Sequence, residues 1–476
     1  MPEKKVLLIN PPSGLYRRDD RCQSRVEEQT VNIIFPPMDL AYLAAVARRT
    51  GAEARIADFP AAGESWEDLE TLLSSFSPDI LVISTTSATI REDLQAASFV
   101  KEIQPSCLTL GKGEYLSHFG MQTLEQNPGL DAVFLGEPEP TLEKILSGRP
   151  VEDIPGLLFR KRVGEQEDFV NTGMRPPIED LDALPFPARD LLDNSLYRSP
   201  ETGNPLTVIH ANRGCPSHCI YCPAGRISGY TLRVRSPENI VREVEECVKK
   251  YGIREFLFNG DTFTMKKSWV LELCRLIREH NLDIHWGCNS RVDTFDLERA
   301  VALKKAGCWV VAFGVESGVR EMLDKMKKKA TPEQAGKAIR AAKKAGLLTH
   351  AFYIIGLPWE TWETLSKTLR FARELDTDFF DFNIAYPLPG TEFYEIAERE
   401  NLFEGGDLSD GSYARAAVRS YALSSEELTK WRKKALLSLY LRPKYIVRTL
   451  GRVIAKPRIL WNYLREGMRR LFSLLG

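Results

Sequence analysis

The chain has 476 residues, 64 Lys and Arg against 65 Asp and Glu for a net charge of -1, and 43% hydrophobic residues. At that length two or three domains are expected, and a balance this near neutral excludes a protein whose main partner is nucleic acid. No run of about 18 apolar residues occurs, which excludes a membrane-spanning helix, and the start MPEKKVLLINPP enters a strand-like segment without a signal peptide, so a cytoplasmic location is expected.

Residues 1–150 alternate short apolar runs with amphipathic stretches. The predicted strands are Val6–Ile9, Ala54–Ala57, Asp79–Ser84, Cys107–Leu110 and Ala132–Leu135, and the predicted helices Met38–Arg49, Trp66–Ser75, Arg91–Ile103, Glu114–Glu125 and Thr141–Leu146. Strands that read as continuous apolar runs, each followed by a helix, make a doubly wound parallel α/β sheet. Ligands of such sheets bind beyond the carboxyl ends of the strands. Those ends carry Asn10-Pro11-Pro12, Ser84-Thr85-Thr86, Gly111-Lys112-Gly113 and Gly136-Glu137-Pro138, small or turn-forming residues that leave room for a large flat ligand.

Residues 151–195 read as a linker that packs on its neighbours, with a hairpin over Gly156–Val170 and an extended path set by Pro185 and Pro187. A second alternation fills 196–390. Its strands are Leu206–Ala211, Glu255–Phe258, Ile284–Cys288, Trp309–Phe313, Thr349–Ile354 and Phe379–Ala385, with helices between them, which predicts a partial (βα)6 barrel with its chemistry at the carboxyl ends. Residues 391–476 read as a helical C-terminal region.

Nine cysteines are too sparse for a disulfide framework, and only three lie close together, in Cys215-Pro216-Ser217-His218-Cys219-Ile220-Tyr221-Cys222. A structural zinc needs a fourth ligand, and His218 adjoins Cys219, where it is poorly placed to share one ion. A cubane iron–sulfur cluster on three thiolates leaves one iron open to a substrate. Zinc and a redox dithiol remain the alternatives.

The C-x3-C-x2-C loop, with aromatic Tyr221 before the third cysteine, resembles the signature of the radical S-adenosylmethionine (SAM) enzymes. The resemblance implies that Cys215, Cys219 and Cys222 hold a 4Fe-4S cluster whose open iron chelates SAM and cleaves it to a 5′-deoxyadenosyl radical. It also places Asn259-Gly260-Asp261 at the SAM amino group, although a Gly-Gly-Glu form is commoner there. Ser290 and Arg291 would meet the ribose and carboxylate, Glu316 belongs to a G-x-E-S element (Gly314–Ser317), and Gly356-Leu357-Pro358 would pack on adenine. Each triplet alone is an ordinary βα turn; together they stand in register behind the cysteine loop.

A doubly wound sheet ahead of such a barrel resembles the cobalamin-dependent branch of the family, with the layout of anaerobic magnesium-protoporphyrin cyclases and of hopanoid and phosphonate C-methylases. This implies cobalamin at Ser84, Thr85, Thr86, Gly111, Gly113, Gly136 and Glu137, and a methyltransferase acting on an unactivated carbon of a small-molecule or lipid-like substrate, with a flavodoxin or ferredoxin as electron donor. The D-x-H-x-x-G element that supplies a lower cobalt ligand is absent, which leaves that ligand open. A cyclase or rearrangement enzyme without methyl transfer is the alternative within the class, a cobalamin or redox sensor the one outside it. A first domain without ligand, serving as scaffold, is the plainer reading of the sheet.

The tail carries nine cationic residues between Arg442 and Arg470 against Glu466 alone, interleaved with apolar residues that include Trp461 and Phe472. Such a helix can lie on an anionic membrane at the inner face of the cell, or pack on the barrel with a solvated charged face.

Overall fold

The computed structural model describes residues 4–19, 22–28, 33–164, 166–404, 408 and 412–455. The first part contains strands β1 (Lys5–Asn10), β2 (Tyr16–Asp19), β3 (Cys22–Arg25), β4 (Glu53–Asp58), β5 (Ile80–Ser84), β6 (Leu108–Lys112), β7 (Ala132–Phe134), β8 (Leu157–Val163) and β9 (Gln166–Asn171). Their main sheet has the order β4-β1-β5-β6-β7-β8-β9, parallel from β4 to β7 and antiparallel over the last two pairs. All five residues of β5 are buried, because helices cover both faces of the sheet. The hairpin expected within the linker is β8–β9, which hydrogen-bonds onto β7 and continues this sheet. β2 and β3 form a separate two-stranded ribbon that the apolar pattern did not reveal.

The second part contains β10 (Leu206–Arg213), β11 (Arg233–Val234), β12 (Glu255–Gly260), β13 (His285–Arg291), β14 (Cys308–Glu316), β15 (Leu348–Ile355) and β16 (Phe379–Ile384), ordered β11-β10-β12-β13-β14-β15-β16. Only β11 is antiparallel, so six parallel strands form the partial barrel. Alternate residues such as Ile209, Phe258, Cys288, Phe313, Tyr353 and Phe382 enter one core beneath the outer helices. Their neighbours along each strand consequently face the barrel interior.

Helix Met38–Arg49 joins the two parts. Nine of its residues from Met38 to Ala47 are buried, as befits a helix covered all round. Leu40, Leu43, Ala44 and Ala47 pack into the first sheet's core, whereas Met38 and Ala41 pack with Val208 of β10 and with Tyr197. The end of the linker is anchored as well: buried Arg189 donates to the Val208 carbonyl at 2.8 Å and pairs with Glu243 at 2.5 Å. Three arginine–carboxylate pairs clamp the end of β7 to the barrel: Arg233 on Glu137 at 2.9 Å, Arg213 on Glu139 at 2.5 Å and Arg213 on Glu137 at 3.5 Å.

Helix Ser425–Tyr440 closes the far edge, with Trp431 against Phe382 and Tyr440 against Phe380. Helix Pro443–Ala455, the described part of the basic tail, reverses the expected orientation. Its cations face the barrel: Lys444 and Arg448 pair with Asp376 at 2.9 and 3.2 Å, and Arg452 pairs with Asp378. Its apolar residues face outward, with Val447 69%, Leu450 55% and Ile454 77% exposed. Trp461 and Phe472 lie outside the described residues. Among the described residues no helix is long and apolar enough to cross a membrane.

Candidate functional site

The cysteine loop leaves the carboxyl end of β10 through Gly214, whose φ of +88° lies in the left-handed region and whose added Cβ would overlap the Thr231 carbonyl, so glycine is required there. Asp261, just past β12, accepts from the Gly214 amide at 2.6 Å and holds the base of the loop. Further along, the Cys215 amide donates to the Gly229 carbonyl at 3.1 Å and the Ile220 amide to the Met326 carbonyl at 3.2 Å. The loop is thus a braced arch that carries three half-buried thiols outside any disulfide. By contrast Cys107, Cys247, Cys274, Cys288 and Cys308 are at most 2% exposed, and burial pushes the Cys107 and Cys247 thiols up to about 12. Those five are unreactive packing residues; the side chain of Cys22 lies outside the described residues.

Among the described residues no three His, Cys, Asp or Glu side chains converge as ligands of one ion would. Three accessible thiols on a single loop fit a cubane cluster, in which each thiolate takes its own iron. Two buried cations stand beside the loop. Lys328 pairs with Glu316 at 2.6 Å and Arg291 with Asp293 at 2.8 Å, while the Arg291 guanidinium also donates to the Lys328 carbonyl at 2.7 Å. Although burial opposes it, Glu316 and then Cys219 raise the Lys328 pKa, so the ammonium stays charged next to the sulfur. Burial, followed by Glu316 and Cys219, likewise raises the Tyr221 phenol and keeps it neutral. Glu316 itself adopts φ +64°, an uncommon conformation for a residue with a Cβ.

The other expected SAM residues divide. Asn259, Gly260 and Asp261 line a cleft between the two parts of the molecule. Gly356, at φ +82°, donates to the Glu360 carboxylate at 3.3 Å, and Leu357 is fully buried in a cluster with Ile220 and Tyr221. Ser290 does not face the interior: its hydroxyl bonds Thr264 at 2.6 Å on the helix side, and its neighbour Asn289 takes the inward position. Sequence reasoning also missed Lys328 and Glu360, both buried within polar contacts of the same region.

The cleft is open to solvent, with a cavity volume of about 200 Å³. Asn10, Lys112, Gly113, Gly136 and Glu137 line it from the first sheet, and His210, Asn212 and both flanks of the cysteine loop from the barrel. Asn10 Oδ1 and Asn212 Nδ2 are buried there without hydrogen-bond partners among the described residues, which suits a polar ligand laid across the cleft.

Several residues expected to contact that ligand are engaged elsewhere. Ser84, Thr85 and Thr86 are 2–3% exposed and sealed by the ribbon: Arg18 donates to the Ser84 carbonyl at 2.8 Å and pairs with Asp93 at 2.7 Å, while Gln23 accepts from the Ser87 amide at 2.8 Å. The space a Cβ would need at Gly111 is filled by Leu116 at 2.5 Å, so this glycine serves helix packing. At Gly113 it is filled by Thr85 Oγ1, also at 2.5 Å, with φ at +145°. Glu137 is held by Arg233 and by the Ile178 amide at 2.6 Å, so it works first as the domain clamp.

Residues 209–372 match the family model described as the radical SAM superfamily. Over 94% of its length the chain is 32% identical to an uncharacterized methyltransferase of Pyrococcus horikoshii, 95% of which is covered. It is 27% identical to the cytidylyl-2-hydroxyethylphosphonate methyltransferase of Streptomyces wedmorensis, over 84% of this chain and 83% of the relative. Among solved structures, the radical SAM methyltransferase TsrM from Kitasatospora setae, with cobalamin and a [4Fe-4S] cluster bound, superposes with a TM-score of 0.67 at 20% identity, covering 83% of this chain and 75% of that one. The cobalamin-dependent enzyme OxsB superposes with a TM-score of 0.71 at 16% identity, over the whole of this chain and 72% of that one.

Proposed function

This chain belongs to the radical SAM superfamily, in the lineage of its methyltransferase relatives, and we propose that it is a cobalamin-dependent C-methyltransferase acting on an unactivated carbon of a small molecule. The observation that carries the reading is the shared cleft, bordered by both flanks of a loop with three accessible thiols and by the carboxyl edge of a doubly wound sheet. When bound, the cluster and SAM supply a primary carbon radical and cobalamin a transferable methyl group.

The chain's own residues position and enclose this chemistry. Cys215, Cys219 and Cys222 would hold the cluster, and Asp261 fixes the loop that carries them. Lys328 and Arg291 keep positive charge beside Cys219. Asn259, Gly260, Asp261, Arg291 and Glu316 are the residues assigned to SAM, with Gly356 and Leu357 at the adenine. Asn10, Lys112, Gly113 and Gly136 are assigned to cobalamin from below the cleft. The Arg213 and Arg233 clamps hold both walls together.

The reading includes a one-electron donor of the flavodoxin or ferredoxin kind, since SAM cleavage consumes an electron that no group of this chain supplies. It also includes reversible contact with a membrane surface through the outward apolar side of helix Pro443–Ala455. Anaerobic reconstitution with SAM, cobalamin and a reductant tests the activity: 5′-deoxyadenosine together with a product heavier by one methyl is expected from cell extract. Reconstituted enzyme that never cleaves SAM would leave a sensor as the better reading, and 5′-deoxyadenosine with a rearranged, unmethylated product would favour the cyclase alternative.

A further inference from the structure

The interior face of the barrel carries hydrogen-bonding groups that neither the cysteine loop nor the SAM assignments use. The pairing register lines its inward positions up in rows. The lowest row is apolar, with Val208 beside Leu257, Leu257 beside Gly287 and Gly287 beside Val310. The next is polar: His210 stands beside Asn259, Asn289 beside Ala312, and Ala312 beside His350. One strand on, His350 Nε2 lies 2.8 Å from Asp381 Oδ2, and Asn383 follows two residues later on the same face of β16. The amides of Asn289 and Asn383 are half-buried and have no hydrogen-bond partner among the described residues. The cleft opens onto this wall at its near edge, where Val208, His210, Leu257 and Asn259 line it.

We propose that this wall binds the substrate, and that the substrate is a neutral polar molecule bearing hydroxyl or amide groups, held by Asn289, Asn383 and the imidazole of His350, which Asp381 orients. A hydrocarbon seated here would strand two amides and the second imidazole nitrogen, Nδ1, without partners, so the wall selects against a lipid chain. An anionic group finds no free cation on this face, because Arg291 and Lys328 already face Asp293 and Glu316. The two amides and the imidazole lie on three different strands, and Asn383 stands level with Ile354, about 13 Å along the sheet from His350, which suits a molecule long enough to carry polar groups at both places. His350, Asn289 and Asn383 determine specificity; Asp381 is a positioning residue. The inference rests on the methyl-transfer reading and names its substrate class.

The full-length holoenzyme is incubated anaerobically with SAM, a reductant and, separately, the aqueous-methanol and chloroform extracts of the same cells, and products heavier by one methyl are followed by mass spectrometry. A methylated product from the aqueous extract is expected. With that product's precursor purified, Asn289→Ala, Asn383→Ala and His350→Gln each raise its KM about tenfold or more, with the KM for SAM within about twofold of wild type and circular dichroism unchanged. Asp381→Asn raises the substrate KM in the same direction while its SAM KM also holds. A methylated product from the chloroform extract alone, or variants that move the SAM KM and not the substrate KM, would overturn the assignment. Product from neither extract, with SAM still cleaved, overturns methyl transfer itself.

Discussion

Cys215, Cys219 and Cys222 are separated from the other described cysteines by accessibility, and this sets a direct test. Alanine at any of the three is expected to abolish the iron–sulfur absorbance of anaerobically prepared protein, whereas Cys247→Ala keeps it. Beside them, Lys328→Met strands the Glu316 carboxylate in the interior, and a loss of about 3 kcal/mol is expected in urea unfolding; Glu316→Gln with Lys328→Met recovers most of it. Burial pushes the Glu360 carboxyl up to about 7 from an ordinary 4.5, against the opposing hydrogen bonds from Thr364 and Gly356. The folded chain therefore keeps a proton that the unfolded chain releases. The stability this group contributes is complete below about pH 4.5 and lost as pH rises through 7, a span of about 3 kcal/mol. The stability of Glu360→Gln relative to wild type is thus expected to grow between pH 5 and pH 8, as thermal melts at the two values would show.

The three-cysteine loop was legible as a unit because its spacing lies within one short segment. Ser290 was not: the predicted strand stopped at Cys288, whereas β13 runs to Arg291, so alternation continues and turns Ser290 outward and Asn289 inward. A single step of phase exchanges the two faces of a strand. Lys328 reads in sequence as one of three solvated lysines, and only the fold shows it buried on Glu316.

At the scale of elements, the strands and helices of both α/β parts follow from apolar periodicity, because buried parallel strands and amphipathic helices are its strongest signals. The ribbon escaped notice, since Tyr16–Arg25 is polar and its role is to plug strand ends with Arg18 and Gln23. The small residues at Ser84–Thr86 and Gly111 were read as making room for a ligand, yet the room is filled by the protein itself. In the basic tail the composition was legible and its orientation was not, because Asp376 and Asp378, which draw the cations inward, lie more than 60 residues earlier. That reversal changes the expected membrane behaviour. Vesicle flotation of the full chain should depend on Val447, Leu450 and Ile454, and Val447→Glu with Leu450→Glu should reduce binding by about tenfold or more. Binding unaffected by these changes would return the helix to a purely structural role.

At the scale of the whole molecule, the two α/β parts meet around one cleft, and the comparisons agree with that layout over nearly the full chain. Because the cleft borders Asn10 and not the sealed Ser84–Thr86 turn, Asn10→Ala is expected to weaken cobalamin binding about tenfold, while Thr86→Ser leaves it unchanged. The visible spectrum of the bound cofactor is expected to be of the base-off form; a base-on spectrum would contradict it.

Helix Met38–Arg49 has a consequence for how the chain is made. It belongs to the first sheet's core, yet Met38 lies against Thr207, 169 residues further along the chain. During synthesis the first sheet can therefore close while one side of this helix still waits for β10 to leave the ribosome. From the end of β9 at Asn171 to the start of β10 at Leu206 is 35 residues, so at about 5–20 residues per second that interval lasts about 2–7 seconds, during which Met38, Ala41 and Tyr42 present an apolar surface to whatever is nearby. The nascent first domain is thus a natural client for a holdase, and its yield when expressed alone should fall below that of the full chain for want of the strand that covers this helix.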